Sequence, residues 1–163
     1  APTVLDIAGI EIPSYIQGMS ILNSPDKERK YLVTASDRFD EEVDRIRSVK
    51  TKKFKFIKNY YPNKPHALPV AYRENMPMMK LLNEFNSKGK LDYNQKKWFL
   101  TPKPKFELYD LISDPYELNN LSDKDEFKKI LMKMDSILNK WIVQTNDLGE
   151  HPESFIINNS ITD

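Results

Sequence analysis

The feature that most constrains the fold is a run of eight apolar residues at helical spacing near the end of the chain. They follow an i, i+3, i+4, i+7 pattern and comprise Phe127, Ile130, Leu131, Met134, Ile137, Leu138, Trp141 and Ile142. Ser122 is the predicted N-cap, and the acidic residues just after it suit the positive end of a helix dipole. An apolar face of this length has to be covered by a sheet or by another helix.

The sequence predicts β-strands that can cover this apolar helix face. Strands are predicted at residues 30–36, 45–50, 54–60 and 106–111, and in the third of these Phe54 and Phe56 alternate with lysines. Such a period of two is typical of a half-solvated antiparallel strand. Helices predicted at 78–85 and 93–99 lie between the third and fourth strands. The sequence therefore predicts an α+β fold: a small antiparallel sheet of three to four strands packed against a long C-terminal helix, with a helical insertion.

The length of 163 residues fits a single domain. Within 1–163, we expect residues 1–22 to form a linking helix and loop, 30–147 to form the sheet and helices, and 148–163 to form a tail. The segment 24–27 is a predicted loop.

Composition excludes several kinds of chemistry. The chain has no cysteine, so it holds no disulfide, thiolate metal site or cysteine nucleophile. The formal net charge of +1 argues against nucleic acid as a partner. No apolar run approaches the roughly 18 residues of a membrane span, and no signal peptide is visible.

The predicted substrate-binding residues centre on an acidic stretch, 37–44, interpreted as a loop after a strand. Arg38, Arg45 and Arg47 carry guanidinium groups, which bind sulfate and carboxylate in a bidentate way. The alternative is that these arginines form a surface ion-pair ladder with the acidic residues from Asp40 to Asp44. Asp40 belongs to this stretch, and His66 lies in the proline-rich loop that follows the hairpin. Neither His66 nor His151 has the spaced partners of a metal site, so ordinary surface histidines are the alternative.

The hairpin 45–61 is basic and aromatic. Its lysines and aromatic residues interleave as Lys50, Lys52, Lys53, Phe54, Lys55, Phe56, Lys58, Tyr60 and Tyr61. This pattern suits an anionic polymer such as a sulfated glycan or nucleic acid. An edge hairpin kept soluble by its lysines is the other interpretation.

The segment 107–121 reads ELYDLISDPYELNNL and resembles the signature "ELYDL…DPxExxNL" of the C-terminal module of sulfatases. Three further blocks, at 1–20, 47–57 and 138–147, are similar to sulfatase segments in the same order. The last of these, with its Leu, Trp, Thr and Asp, resembles the end of the N-sulfoglucosamine sulfohydrolases (heparan N-sulfatases) and their bacterial relatives.

This resemblance implies a parent enzyme that hydrolyses sulfate esters or N-sulfates of glycosaminoglycan-like glycans. The parent would have an alkaline-phosphatase-like core, a formylglycine made within a C/S-x-P-x-R motif, and calcium. The nearest match here, Ser113–Glu117, has Glu where Arg is required. We therefore expect no catalytic or metal-binding residue and no cofactor in this chain, which alone should not be catalytically competent.

The expected partners are a missing N-terminal catalytic domain, a sulfated glycan and, through self-association, further copies of the chain. No nucleic acid or membrane partner is expected. The expected substrate-binding residues are Arg38, Asp40, Arg45, Arg47 and His66. Localisation would be periplasmic or extracellular for a bacterial parent and lysosomal for a eukaryotic one. The alternative function is a free-standing module that binds anionic glycans through the hairpin 45–61.

Overall fold

The larger part of the molecule is built on a four-stranded antiparallel sheet. The computed structural model describes residues 1–22 and 29–160. The strands are β1 (Leu32–Phe39), β2 (Glu42–Lys50), β3 (Phe54–Asn59) and β4 (Phe106–Asp110), and they lie in the order β1-β2-β3-β4. Each strand pairs antiparallel with the next. The predicted α+β architecture is confirmed.

The hairpin of β1 and β2 corrects one prediction. The stretch 37–44 is not a loop, because β1 continues to Phe39 and β2 begins at Glu42. Only Asp40 and Glu41 form the turn, and Asp40 adopts a left-handed φ of 54°. The pairing slips between Ser36 and Arg38, so β2 carries one extra residue there. Charged side chains in an irregular strand do not show the alternation on which strand prediction depends.

The helices lie before, between and after the strands. They are α1 (Pro2–Ile7), α2 (Ala71–Glu74), α3 (Pro77–Ser87), α4 (Tyr93–Lys97), α5 (Lys128–Gln144) and α6 (Glu153–Ser160), with a 3₁₀ turn at Asp125–Phe127. The helix α5 starts later than predicted: its N-cap is Phe127, not Ser122. The sequence did not predict α2, nor α6, which lies in the region expected to be a tail.

The core joins the sheet to α5. Val49, Phe56 and Leu108 come from three neighbouring strands and pack with Met134 and Leu138 of α5. All five side chains are buried. The predicted apolar face of the last helix is therefore confirmed. Its flanking members, Trp141 among them, are only partly buried.

The two faces of β2 have different surroundings. Side chains alternate along a strand, so Arg47 shares the α5 face with Val49, whereas Ile46 and Ser48 point to the other face. The segment between β3 and β4, which carries α2, α3 and α4, lies on that second side: its Leu68 and Trp98 line a cavity together with Ile46. A cavity therefore lies between the β1–β2 hairpin and the helical insertion.

Residues Ala1–Lys30 form a separate compact unit, distinct from Tyr31–Asp163. Within it, the short α1 ends at Ile7, and Gly9, two residues later, has the left-handed φ of 67° that is typical just after a helix C-terminus. The Ser20 hydroxyl donates a hydrogen bond to Asp6. The loop predicted at 24–27 lies outside the described residues.

Candidate functional site

A cavity of about 240 Å³ lies where the β1–β2 hairpin meets the helical insertion. We call it the hairpin cavity. It is lined by Ser36, Arg38, Phe39, Asp44, Ile46, His66, Leu68, Arg73 and Trp98. Two predicted site residues, Arg38 and His66, meet here, although 28 positions separate them. Arg73 and Trp98 were not predicted, since neither belongs to a motif and only the fold brings them to the hairpin.

The turn of the hairpin holds one wall of the cavity in place. The backbone N–H of Ala71, at the start of α2, donates a hydrogen bond to Glu41 Oε1 over 2.6 Å. This hydrogen bond lowers the pKa of Glu41. Helix α2 then carries Arg73, whose guanidinium lies 5.3 Å from the centre of the Phe39 ring and 5.4 Å from that of Trp98. The guanidinium therefore lies within cation–π distance of both aromatic rings.

His66 contacts a buried polar network that is centred on Glu107. Its Nε2 lies 3.4 Å from Oε1 of Glu107, a residue of β4. Glu107 also accepts hydrogen bonds from Tyr109 Oη (2.5 Å) and Asn59 Nδ2 (2.7 Å). Burial alone would raise the pKa of Glu107, but the hydrogen bonds with His66, Tyr109 and Asn59 outweigh it and lower that pKa. Glu107 is therefore a carboxylate that fixes the imidazole.

Asp44 contributes a buried charge to the wall of the hairpin cavity. Its side chain is 4% exposed, and its Oδ2 pairs with Lys103 Nζ, which is fully buried. The backbone N–H of Lys103 donates to the carbonyl of Pro62 over 2.8 Å, which fixes the start of the lysine side chain.

Arg47 lies on the opposite, α5 face of the sheet. Its side chain is fully buried, and Nε and Nη2 donate to the two oxygens of Asp147, each over 2.7 Å. Asp37 provides a second partner at 2.7 Å. The hydrogen bonds from Arg47 lower the pKa of Asp147 to about 2 despite its burial. Arg45 joins the same carboxylate at 3.5 Å.

These contacts revise two expectations. The main ion-pair partner of Arg45 and Arg47 is Asp147, which follows α5, and not the acidic residues from Asp40 to Asp44. Asp37, just before that stretch, also pairs with Arg47. A fully buried, bidentate guanidinium has no donor to spare for substrate. The placement therefore does not support direct substrate contact by Arg47, and it indicates a supporting role for Arg45.

Arg38 and Asp40 meet at the turn of the hairpin through a contact with the backbone. The Nε of Arg38 donates to the backbone carbonyl of Asp40 over 2.9 Å. The guanidinium forms its ion pair with Glu153 of α6, and both side chains are exposed. Arg38 also lines a second cavity, of about 400 Å³, together with Tyr61 and residues next to α6. Arg38 is thus the predicted residue best placed to meet a ligand.

The basic hairpin is largely neutralised within the chain. Three of its lysines form ion pairs: Lys53 with Asp110 (3.6 Å), Lys55 with Glu117 (2.7 Å) and Lys58 with Asp135 (2.8 Å). Cations that are already paired have less to offer an anionic polymer. This weakens the interpretation of 45–61 as a glycan-binding surface.

The described parts of the chain contain neither a metal-binding cluster nor a membrane-spanning helix. Among residues 1–22 and 29–160, no group of three or more His, Cys, Asp or Glu residues is arranged to hold a metal ion. None of the helices in those ranges is both long and apolar enough to cross a membrane.

Comparison with known proteins points to one family. No protein-family model matches the chain. The chain is 42% identical over 159 residues to an ulvan-active sulfatase of Formosa agariphila and 25% identical over 158 residues to the human N-sulphoglucosamine sulphohydrolase. These matches cover 97% and 90% of the chain.

Solved structures agree with the sequence matches. A 2-O GAG sulfatase superposes with a TM-score of 0.59 at 20% identity, which bears on the fold alone. A protein solved with its substrate D-glucosamine-2-N,6-O-disulfate gives a TM-score of 0.58 at 25% identity. These two matches cover 90% and 93% of the chain.

The matched relatives are much longer than the chain. It spans 27% of the Formosa agariphila enzyme, 32% of the human enzyme, and 24% and 25% of the two solved structures. The matches nevertheless run through nearly all of this chain. Sulfatases are therefore homologues of nearly the whole chain, and its 24–32% share of their lengths is consistent with a C-terminal domain of a longer protein.

Proposed function

We propose that the protein to which this chain belongs hydrolyses sulfate groups from a sulfated glycan, and that the chain supplies packing and part of the substrate pocket. The observation that carries this proposal is the 42% identity with an ulvan-active sulfatase across 97% of the chain. Identity of that order extends far beyond a shared fold.

The substrate class is a polysaccharide with anionic groups. Two relatives are named for activity on ulvan, at 42% and 26% identity, and others for N-sulphoglucosamine and for the 6-O-sulfate of N-acetylglucosamine. The higher identity makes ulvan the first substrate to test. Glycosaminoglycans with N- or O-sulfates are the second.

Within this chain, we assign substrate contact to the hairpin cavity. Arg38 and His66 line it, and Asp40 fixes Arg38 through its backbone carbonyl. A guanidinium and an imidazole are suitable donors for sulfate oxygens. Arg45 and Arg47 act through Asp147, because their ion pairs hold the hairpin against the segment after α5.

The nucleophile and any metal are assigned to the part of the protein outside this chain. Sulfatase relatives imply a formylglycine and calcium, but the chain has no cysteine and no C/S-x-P-x-R motif. Its residues therefore do not fit formylglycine, and among residues 1–22 and 29–160 no cluster of acidic or histidine side chains is arranged for a metal ion. We assign the chain no catalytic step. For localisation we retain the proposal of periplasm or exterior in a bacterium, or lysosome in a eukaryote.

The test is sulfate release by the intact protein. We expect inorganic sulfate to appear from ulvan or from heparan sulfate, and none from the 163-residue chain on its own. A heat-inactivated sample of the intact protein is the control. Absence of release from every sulfated glycan tried would contradict the proposal, as would turnover of a sulfated ester by the chain alone.

The alternative of a free-standing anionic-glycan-binding module makes a different prediction. It requires the chain alone to bind sulfated polymer through the hairpin 45–61, with loss of binding on substitution of its lysines. The ion pairs of Lys53, Lys55 and Lys58 argue against this alternative.

A further inference from the structure

The helix α6 packs on the rest of the molecule much more loosely than α5 does. Helix α5 contributes two buried side chains to the core, Met134 and Leu138. Between residues 153 and 158, by contrast, no side chain is buried: Ile156 is half-buried, and Ile157 is 50% exposed. Because α6 buries so little apolar surface, it opens at a smaller cost in free energy than α5.

The segment that leads to α6 is firmly anchored up to Gly149. Asp147 forms the buried, bidentate ion pair with Arg47, and the backbone N–H of Gly149 donates to Oδ1 of the same carboxylate over 3.1 Å. Residues 150–152 then join this anchor to the first residue of α6. The arrangement lets α6 move while the chain up to Gly149 stays in place.

An ion pair at the surface joins α6 to the β1–β2 hairpin. Glu153, the first residue of α6, pairs with Arg38, and the two side chains are 62% and 44% exposed. Ion pairs as exposed as this one contribute little stability. Between the hairpin and the segment 149–156 lies the cavity of about 400 Å³, whose lining includes Val43 and Tyr61. The helix therefore encloses a cavity in this position and does not fill it.

Arg38 is the residue that α6 controls. It lines both the hairpin cavity and the cavity beside α6. Its Nε is held by the backbone carbonyl of Asp40, so the guanidinium stays at the turn of the hairpin when α6 moves. Glu153 places a carboxylate on this guanidinium, which is the position that an anionic group of a ligand would take. Glu153 and such a ligand therefore compete for Arg38.

We propose that residues 150–160 form an autoinhibitory strap. When the strap is closed, Glu153 occupies Arg38 and α6 covers the cavity beside it; when it is open, both are accessible to an anionic substrate. Only the open form binds, so the apparent affinity is reduced by the fraction of molecules that are closed. The proposal rests on the proposed function, because it concerns access to a residue that we assign to substrate contact.

Hydrogen exchange of the intact protein, measured by mass spectrometry, tests the strap without any substrate. We expect the backbone amides of 153–160 to exchange at least tenfold faster than those of 134–142 in α5, which packs on the sheet. Glu153→Gln removes the charge and should speed the exchange of α6 by about threefold, since an exposed ion pair is a weak contact. The matched control is Glu126→Gln, the same change on another exposed glutamate, which should leave the exchange of α6 unchanged.

The activity of the intact protein tests what the strap controls. We expect Glu153→Gln to raise kcat/KM on the sulfated polysaccharide by about threefold and to leave it unchanged on a small sulfated ester. The effect should depend on Arg38: in an Arg38→Ala background, Glu153→Gln should change nothing further, because the guanidinium that the carboxylate blocks is gone. Glu126→Gln is again the control and should change neither value.

Three results would overturn the proposal. Unchanged exchange of α6 in Glu153→Gln would mean that the ion pair does not hold the helix. An unchanged or lowered kcat/KM on the polysaccharide would mean that Glu153 does not block the substrate. An equal gain in the Arg38→Ala background would place the effect elsewhere. If the intact protein releases no sulfate from any glycan, the proposed function fails, and the exchange rates of α6 alone then decide whether the strap opens.

Discussion

At the residue scale, one carboxylate organises the α5 face of the molecule. Asp147 receives two hydrogen bonds from Arg47 and a longer contact from Arg45, and its side chain is only 8% exposed. Gly149 follows closely: a Cβ there would lie 1.9 Å from Arg47 Nη2, so only glycine lets the chain pass over this ion pair. The aspartate at the end of the sequence block 138–147 is therefore explained by its buried ion pair with Arg47.

Removal of this carboxylate should be costly. We expect Asp147→Asn to lower the free energy of unfolding by about 3–5 kcal/mol, because it leaves the fully buried Arg47 without its main counter-charge. Asp37→Asn is the matched control: Asp37 pairs with the same guanidinium but is half exposed, so its loss should cost about 1 kcal/mol or less. Urea unfolding measures both. Similar small losses would mean that the Arg47–Asp147 pair contributes little.

The lowered pKa of Asp147 makes the stability of the fold depend on pH. The pKa of Asp147 is lowered to about 2 in the folded chain, below its ordinary value in an unfolded chain. A depressed pKa stabilises the fold above the unfolded value, and this stabilisation is lost as pH falls towards 2. We expect the free energy of unfolding to fall by about 2 kcal/mol between pH 4 and pH 2 from this group. If Asp147→Asn shows the same fall as the unsubstituted chain, another carboxylate is responsible.

At the element scale, α5 ties the sheet together. Leu138 is fully buried against Val49 and Phe56, whereas Met132 on the outer side of the helix is 62% exposed. Its stripe was predictable because eight apolar residues at one spacing leave little choice of structure. The bounds of β1 and β2 were harder to predict. Residues 37–44 form the ends of two strands, but their charges and an irregular register conceal the alternation.

Shortening side chains on the two faces of α5 should show which face packs against the sheet. We expect Leu138→Ala to cost about 2–5 kcal/mol, since it opens a cavity in the core. Met132→Ala should stay within about 0.5 kcal/mol. Trp141→Ala should fall between them, because Trp141 is only partly buried. Chemical unfolding gives all three values, and a Met132→Ala loss equal to that of Leu138→Ala would refute the assigned face.

The hairpin cavity shows why sequence prediction of the site was incomplete. Arg38 and His66 were predicted as binding residues because cationic residues in connecting segments are common ligands of anions. Arg73 and Trp98 gave no such signal: they reach the cavity only because Glu41 caps α2 and the insertion folds back on the sheet. The buried ion pair of Arg47 could not be predicted from the sequence, because its partner Asp147 lies 100 positions away.

At the scale of the whole molecule, the chain exposes apolar surface that its size does not require. In the Ala1–Lys30 unit, Val4, Ile7 and Tyr15 are 68%, 70% and 82% exposed. Apolar side chains that cluster on a surface usually mark an interface. The relatives, which are three to four times longer, have further structure to cover such surface.

We therefore expect the 163-residue chain to self-associate. Sedimentation should show species larger than a monomer at high concentration, and the substitutions Val4→Ser and Ile7→Ser should shift the equilibrium towards the monomer. Met132→Ser, on the exposed side of α5, is the control and should not. A monomer at all concentrations, with no binding of a dye for apolar surface, would argue against an uncovered interface.

We propose that this chain contacts the glycan substrate of a sulfatase. The most direct test compares kcat/KM of the intact protein and of Arg38→Ala on the polysaccharide and on a small sulfated ester, with exposed Lys50→Ala as control. We predict a loss of about tenfold or more on the polysaccharide and less than about twofold on the ester, because only the glycan reaches the hairpin cavity. Equal, small losses on both substrates would contradict the claim and leave the chain a packing domain.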